Sequence, residues 1–132
     1  MNGYLKGYRL VVWVGILINL TFALSAFFYP EFLIQQVGSG RTDLFDDPWL
    51  FNTGLLLLLN AAFYLPAARD PLRDTLYSWL TAWSRVIAAA AWIVYLLTTS
   101  MDLPRSFWNI PLSDGVMGVV LLVLLRLGLR KR

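Results

Sequence analysis

The sequence predicts an all-α integral membrane protein, a bundle of four transmembrane helices with N-in/C-in topology and a short interfacial helix after the first span. Three observations carry this reading. Of 132 residues, 58% are hydrophobic and 14% charged, against about 45–50% and about 25% in a soluble domain. Four stretches approach the roughly 20 mainly apolar residues that a helix needs to cross the hydrocarbon core. The basic residues between those stretches fall mostly on one side. The length fits a single domain, residues 1–132.

The first span, about residues 10–28, is interrupted only by the uncharged Asn19, Thr21 and Ser25. With Lys6 and Arg9 before it and Ala23-Leu24-Ser25-Ala26 inside it, the segment resembles a signal peptide. Its apolar run is long for one, so the span is expected to be retained. Residues 30–37 read as a short helix in the outer interface. Pro30 suits a first helical position, Phe32, Leu33 and Val37 supply an apolar side, and Gly38 can end it. The second span, about residues 49–67, follows Asp47-Pro48, and the third, about residues 76–98, follows Asp70-Pro71. Both dipeptides read as a cap followed by proline in the first turn. The fourth span, about residues 112–129, holds Asp114 near one end and Arg126 near the other, with Ser113 or Asp114 as its cap. Phe107 and Trp108 suggest an aromatic anchor at the outer interface, and Tyr4, Tyr8, Tyr64 and Tyr77 an inner belt.

Lysine and arginine in the connections set the orientation. Lys6, Arg9, Arg69, Arg73, Arg126, Arg130, Lys131 and Arg132 lie on one side, and only Arg41 and Arg105 on the other. The basic side is expected to be cytoplasmic, in a multi-pass protein of a bacterial cytoplasmic membrane. Glu31, Asp43, Asp46, Asp47, Asp102 and Asp114 fall on the opposite side. The basic residues are therefore topology signals, and the reading gives no nucleic-acid partner.

There is no cysteine and no histidine, which removes disulfides, thiolate metal sites, dithiol redox chemistry and imidazole ligation of haem. Asp43, Asp46 and Asp47 could bind a hard cation, but capping and charge balance account for them better. No catalytic residue, metal site or cofactor is therefore expected. Cysteine-based quinone reductases lack their thiols here. Small multidrug exporters would need an acid in the first span, and fluoride channels a glycine-rich segment before an arginine.

Arg85 is the most informative residue. It lies 11 positions beyond Asp74, hence roughly 16 Å into the membrane at 1.5 Å per residue. A charge at that depth faces protein or water. At 100° per residue its face carries Ser78, Thr81, Ala82, Ala88, Ala89 and Trp92, and the opposite face Leu76, Leu80, Trp83, Ile87, Ala90 and Val94. Small residues around the arginine suit close helix packing, so Arg85 points inward. Asn19, about 15 Å above Arg9, has matching depth. Asn52, Thr53 and Asn60 form a polar stripe on the second span. The expected polar cluster is Arg85 with Asn19, Asn60, Thr81 and Asn52. It serves either as a structural fixture, through interhelical hydrogen bonds, or as a site for the polar head of a lipid, quinone or other anionic ligand.

Several features resemble the small four-helix membrane proteins related to DoxX. They are Pro30-Glu31 after the first span, Gly38, Gly54, the segment Ala67-Ala68-Arg69-Asp70-Pro71, and Arg85 in the third span, together covering roughly residues 10–95. Many of those proteins carry an arginine three residues before the glycine of span two, where this chain has Phe51. The resemblance implies the four-helix fold and, as in a few members, a role beside a quinone-linked oxidoreductase. The leading expectation is a small non-enzymatic accessory or anchor subunit of a larger membrane complex, with lipids and partner subunits, or copies of itself, around it. The alternative is a small transporter or a lipid- or quinone-binding protein using Arg85. An enzyme subunit acting on a lipidic substrate comes last.

Overall fold

Helices form over all four apolar stretches in the computed structural model, which describes residues 1–130. The order is α1 (Gly3–Phe28), α2 (Pro30–Gly38), a 3-10 turn at Thr42–Leu44, α3 (Asp47–Arg69), α4 (Thr75–Thr98), a second 3-10 turn at Arg105–Trp108, and α5 (Asn109–Arg130). No strand occurs among the described residues. Lys131 and Arg132, counted above as basic topology signals, lie outside them.

Each boundary has a local cause. α1 begins well before residue 10 because Asn2 caps it. Its side-chain oxygen accepts from the Leu5 amide at 3.1 Å, while its nitrogen donates to the Gly128 carbonyl at 2.8 Å. α2 forms where the sequence places it, but its left-handed end is Ser39 (φ 52°), not Gly38. Gly38 is needed for contact instead: an added Cβ would strike the Phe45 ring. The cap of α3 is Asp46, whose carboxylate accepts from the Trp49 amide at 2.8 Å, so Asp47 and Pro48 occupy the first turn. Asp70 closes α3 and accepts from the amides of Leu72 (3.1 Å) and Arg73 (3.2 Å), starting the turn that leads into α4. Those amides hold its carboxyl below the usual carboxylate range. α5 starts at Asn109, so Ser113 and Asp114 lie within the helix and neither caps it. The preceding 3-10 turn begins the helix early, tied down where the Ser106 hydroxyl donates to the Val37 carbonyl.

α1 packs on α3 and α5, and α4 packs on α5 and α3, closing a ring of four helices. The Asn2–Gly128 bond joins the start of α1 to the end of α5, and Arg9 Nε donates to the Ala68 carbonyl at the end of α3 at 2.9 Å. Neighbouring spans therefore run antiparallel, as in an up-down-up-down bundle. Two apolar clusters form the core. One, near the termini, includes Tyr8, Val12, Tyr64, Leu121 and Leu125. The other lies at the α2 end, around Ala26, Leu33, Phe45, Leu50 and Phe107. Tyr8 and Tyr64 therefore do not stand in an interfacial belt. Both are buried, because the Tyr8 hydroxyl reaches the Ser78 carbonyl at 2.8 Å and the Tyr64 hydroxyl meets Ser84 Oγ at 3.2 Å.

The outer surface is strongly apolar. On α4, Leu76, Leu80, Trp83, Ile87, Ala90 and Val94 are all exposed, while Ser78, Thr81, Ala82, Arg85 and Ala89 are buried. In water such a surface would be unstable, and four helices are long and apolar enough to cross a membrane. The chain is a multi-pass membrane protein by that measure.

Candidate functional site: an ion pair inside the bundle

Between the two apolar clusters lies a polar layer built around Arg85. The residue sits ten positions into α4, about 15 Å along it, and is 5% exposed. Its Nη1 donates to Asp114 Oδ1 on α5 at 2.7 Å, a charge-assisted bond. Its guanidinium carbon lies 4.9 Å from the centre of the Tyr64 ring of α3, within cation–π range. α1 contributes Gly15, where an added Cβ would stand 3.1 Å from the guanidinium carbon and 3.3 Å from the Met117 methyl. On α5, an added Cβ at Gly118 would come within 2.7 Å of Val86 Cγ2, 3.0 Å of the Val86 backbone nitrogen and 3.2 Å of Arg85 Cβ. The guanidinium is long and α1 is close, so glycine is the residue that lets them meet. All four spans thus converge on one side chain.

The layer neutralises its charge within the fold. Removing two charges from water is expensive, and the mutual attraction offsets that cost only with good geometry and further hydrogen bonds. The Arg85–Asp114 geometry is good, but the hydrogen bonding is incomplete. Arg85 Nε and Nη2 and Thr81 Oγ1 are buried without a hydrogen-bond partner. The Asp114 side chain remains 27% exposed, so the pair opens toward the surface on its acidic side.

The residues singled out from sequence fall into two groups. Arg85 lies in the interior, with Thr81 buried one turn away on the same face. Asn19 is also buried, one turn beyond Gly15 on α1, but no hydrogen bond joins it to Arg85. Asn52 and Asn60 are not part of the layer. Both are exposed, because the buried line of α3 runs through Leu50, Gly54, Ala61, Tyr64 and Ala68, which neither asparagine occupies. Sequence reasoning missed Asp114, Tyr64, Gly15 and Gly118. Asp114 carried a usable signal, since an acid inside an apolar span is as unusual as Arg85 itself; reading it as a helix cap concealed that.

Chemically, the layer fastens helices and offers unsatisfied donors. Among the described residues no group of His, Cys, Asp and Glu is placed to hold a metal ion. No family model matches the chain, and neither the curated proteins nor the solved structures give a match.

Proposed function

We propose that the chain is a non-enzymatic accessory or anchor subunit of a larger membrane complex, in a bacterial cytoplasmic membrane with both termini inside and α2 along the outer interface. The supporting observation is that Arg85 is answered within the chain by Asp114 and walled by Gly15, Tyr64 and Gly118. That arrangement uses a deeply buried charge to join spans, and leaves apolar faces such as Trp83, Ile87 and Val94 on α4 for lipid and partner helices. The resemblance to DoxX-related proteins, some of them small subunits beside quinone-linked oxidoreductases, points the same way. Purification from the native source in mild detergent, with every co-purifying protein and small molecule identified, tests the proposal. A stoichiometric membrane partner is the expected result.

A second reading is favoured by the unpartnered Nε and Nη2 of Arg85. In it the chain binds the polar head of a lipid or quinone, or moves one across the membrane. A lone chain that retains such a molecule, and loses it on Arg85→Lys, would replace the first reading with this one.

The orientation rests on the distribution of lysine and arginine. Reporter fusions at residue 132 and within residues 38–44 are expected to report the cytoplasm and the periplasm respectively. A periplasmic signal from the C-terminal fusion overturns that orientation.

A further inference from the structure

At the α2 end, outside the Arg85 layer, an open groove of about 510 Å³ runs between the start of α3, the last turns of α4 and the segment leading to α5. Its size falls in the roughly 300–1,000 Å³ range of small-molecule sites, and like them it is mainly apolar. Trp49, Trp92, Tyr95 and Phe107 line it, together with Met101 and Leu103. These rings are held by one another. Trp92 meets Tyr95 edge-on at 5.7 Å and lies tilted against Phe107 at 6.2 Å, while Phe45 bridges Trp49 (4.8 Å) and Phe107 (6.3 Å). The Tyr95 hydroxyl contacts Met101 Sδ at 3.7 Å, tying the loop to α4. The aromatic walls are therefore preorganised.

The charges beside these walls are unbalanced. Asp43 adjoins the lining residue Leu44, Asp46 caps the turn that carries Trp49, Asp47 follows it, and Asp102 lies between Met101 and Leu103. Two arginines stand against these four acids. Arg41 is engaged by Asp43 at 2.6 Å and donates to the Asp102 backbone carbonyl, while the Asp102 carboxylate stands 3.8 Å away and its side chain is fully exposed. Arg105 is exposed between Leu103 and Phe107. The segments that border the groove carry a net negative charge beside an aromatic wall, a combination that suits hydrophobic organic cations.

We propose that this groove binds a monovalent hydrophobic organic cation, with its apolar rings against Trp49, Trp92, Tyr95 and Phe107 and its charge answered by the acidic rim. An anionic lipid phosphate would meet the same carboxylates and be repelled. A neutral acyl chain would fill the space without using the acids.

The test uses the full chain in nanodiscs of uncharged-surface phosphatidylcholine, with tetraphenylphosphonium as the probe and tetraphenylborate as its anionic counterpart of the same shape. Equilibrium dialysis against empty nanodiscs should show saturable uptake of the cation and no saturable uptake of the anion. Ala91→Trp, which fills the groove from an exposed position, should abolish that uptake while helical content and melting are unchanged. Asp102→Asn should weaken it about threefold, as expected for one partly screened charge. Uptake no greater than that of empty nanodiscs would overturn the proposal. So would saturable binding of tetraphenylborate at equal or lower concentration, or full binding by a folded Ala91→Trp variant.

Discussion

Arg85→Leu is expected to lower the stability of the bundle by about 3 kcal/mol. Removing one partner of a buried ion pair typically costs about 3–5 kcal/mol, because the other charge is left without an answer. The low end applies because the Asp114 side chain keeps 27% of its exposure and can draw on water or lipid headgroups. Asp114→Leu should cost at least as much, since the charge it strands is the more deeply buried one, at 5% exposure. Arg85→Lys should recover only part of the loss: an ammonium keeps the charge but lacks the planar fork that reaches Asp114 while lying over the Tyr64 ring. Thermal melts of the purified variants in mild detergent give the ranking. Arg85→Leu melting with the native chain would contradict the expectation.

Two glycines three residues apart on α5 should respond oppositely to the same substitution. Glycine in a helix interior is worth about 0.5–1 kcal/mol less than alanine when nothing else changes. At Gly115 an added Cβ makes ordinary contact with Ala89 Cβ at 3.5 Å, so Gly115→Ala should be neutral or slightly stabilising. At Gly118 the added Cβ would lie 2.7 Å from Val86 Cγ2 and 3.0 Å from the Val86 backbone nitrogen, which cannot rotate away. α4 and α5 must then separate, and overpacking of this kind costs about 1–3 kcal/mol. Separation also lengthens the Arg85–Asp114 bond, which adds to the loss. The two melting temperatures should fall on opposite sides of, or one level with and one clearly below, that of the native chain. Equal behaviour at the two sites would show that the α4–α5 seam is looser than its geometry implies.

The parts of this fold that follow from composition and periodicity were legible in the sequence. Span length and apolarity depend on solvent physics that acts on each segment alone, and the four long helices cover the four stretches. The inward face of α4 was legible too, because Arg85 and its small neighbours share one 3.6-residue stripe. What could not be read were properties of pairs of helices. Polarity alone places the asparagines of α3 in the interior, yet the rotation of α3 is set by Gly54, Ala61 and Ala68, small residues that let α1 approach. Gly15 matters because of the guanidinium opposite it, which no property of α1 announces. Apolarity alone starts α5 too late, because the 3-10 turn at Arg105–Trp108 extends the helix backward, and Asp114 is then free of the cap and pairs with Arg85. The single-residue shift from Asp47 to Asp46 at the cap of α3 has a smaller cause: both are aspartates, and only the backbone direction decides which one caps.

Arg85 and Asp114 act as one unit holding α4 to α5. A double-mutant cycle over Arg85→Leu and Asp114→Leu measures this directly, with stability in detergent as the readout. If the pair is the unit, the double variant strands no charge and should be more stable than either single variant, which with single losses of about 3 kcal/mol each means a coupling energy of about 3 kcal/mol or more. Losses that add to within about 0.5 kcal/mol, the behaviour of residues that do not interact, would contradict it.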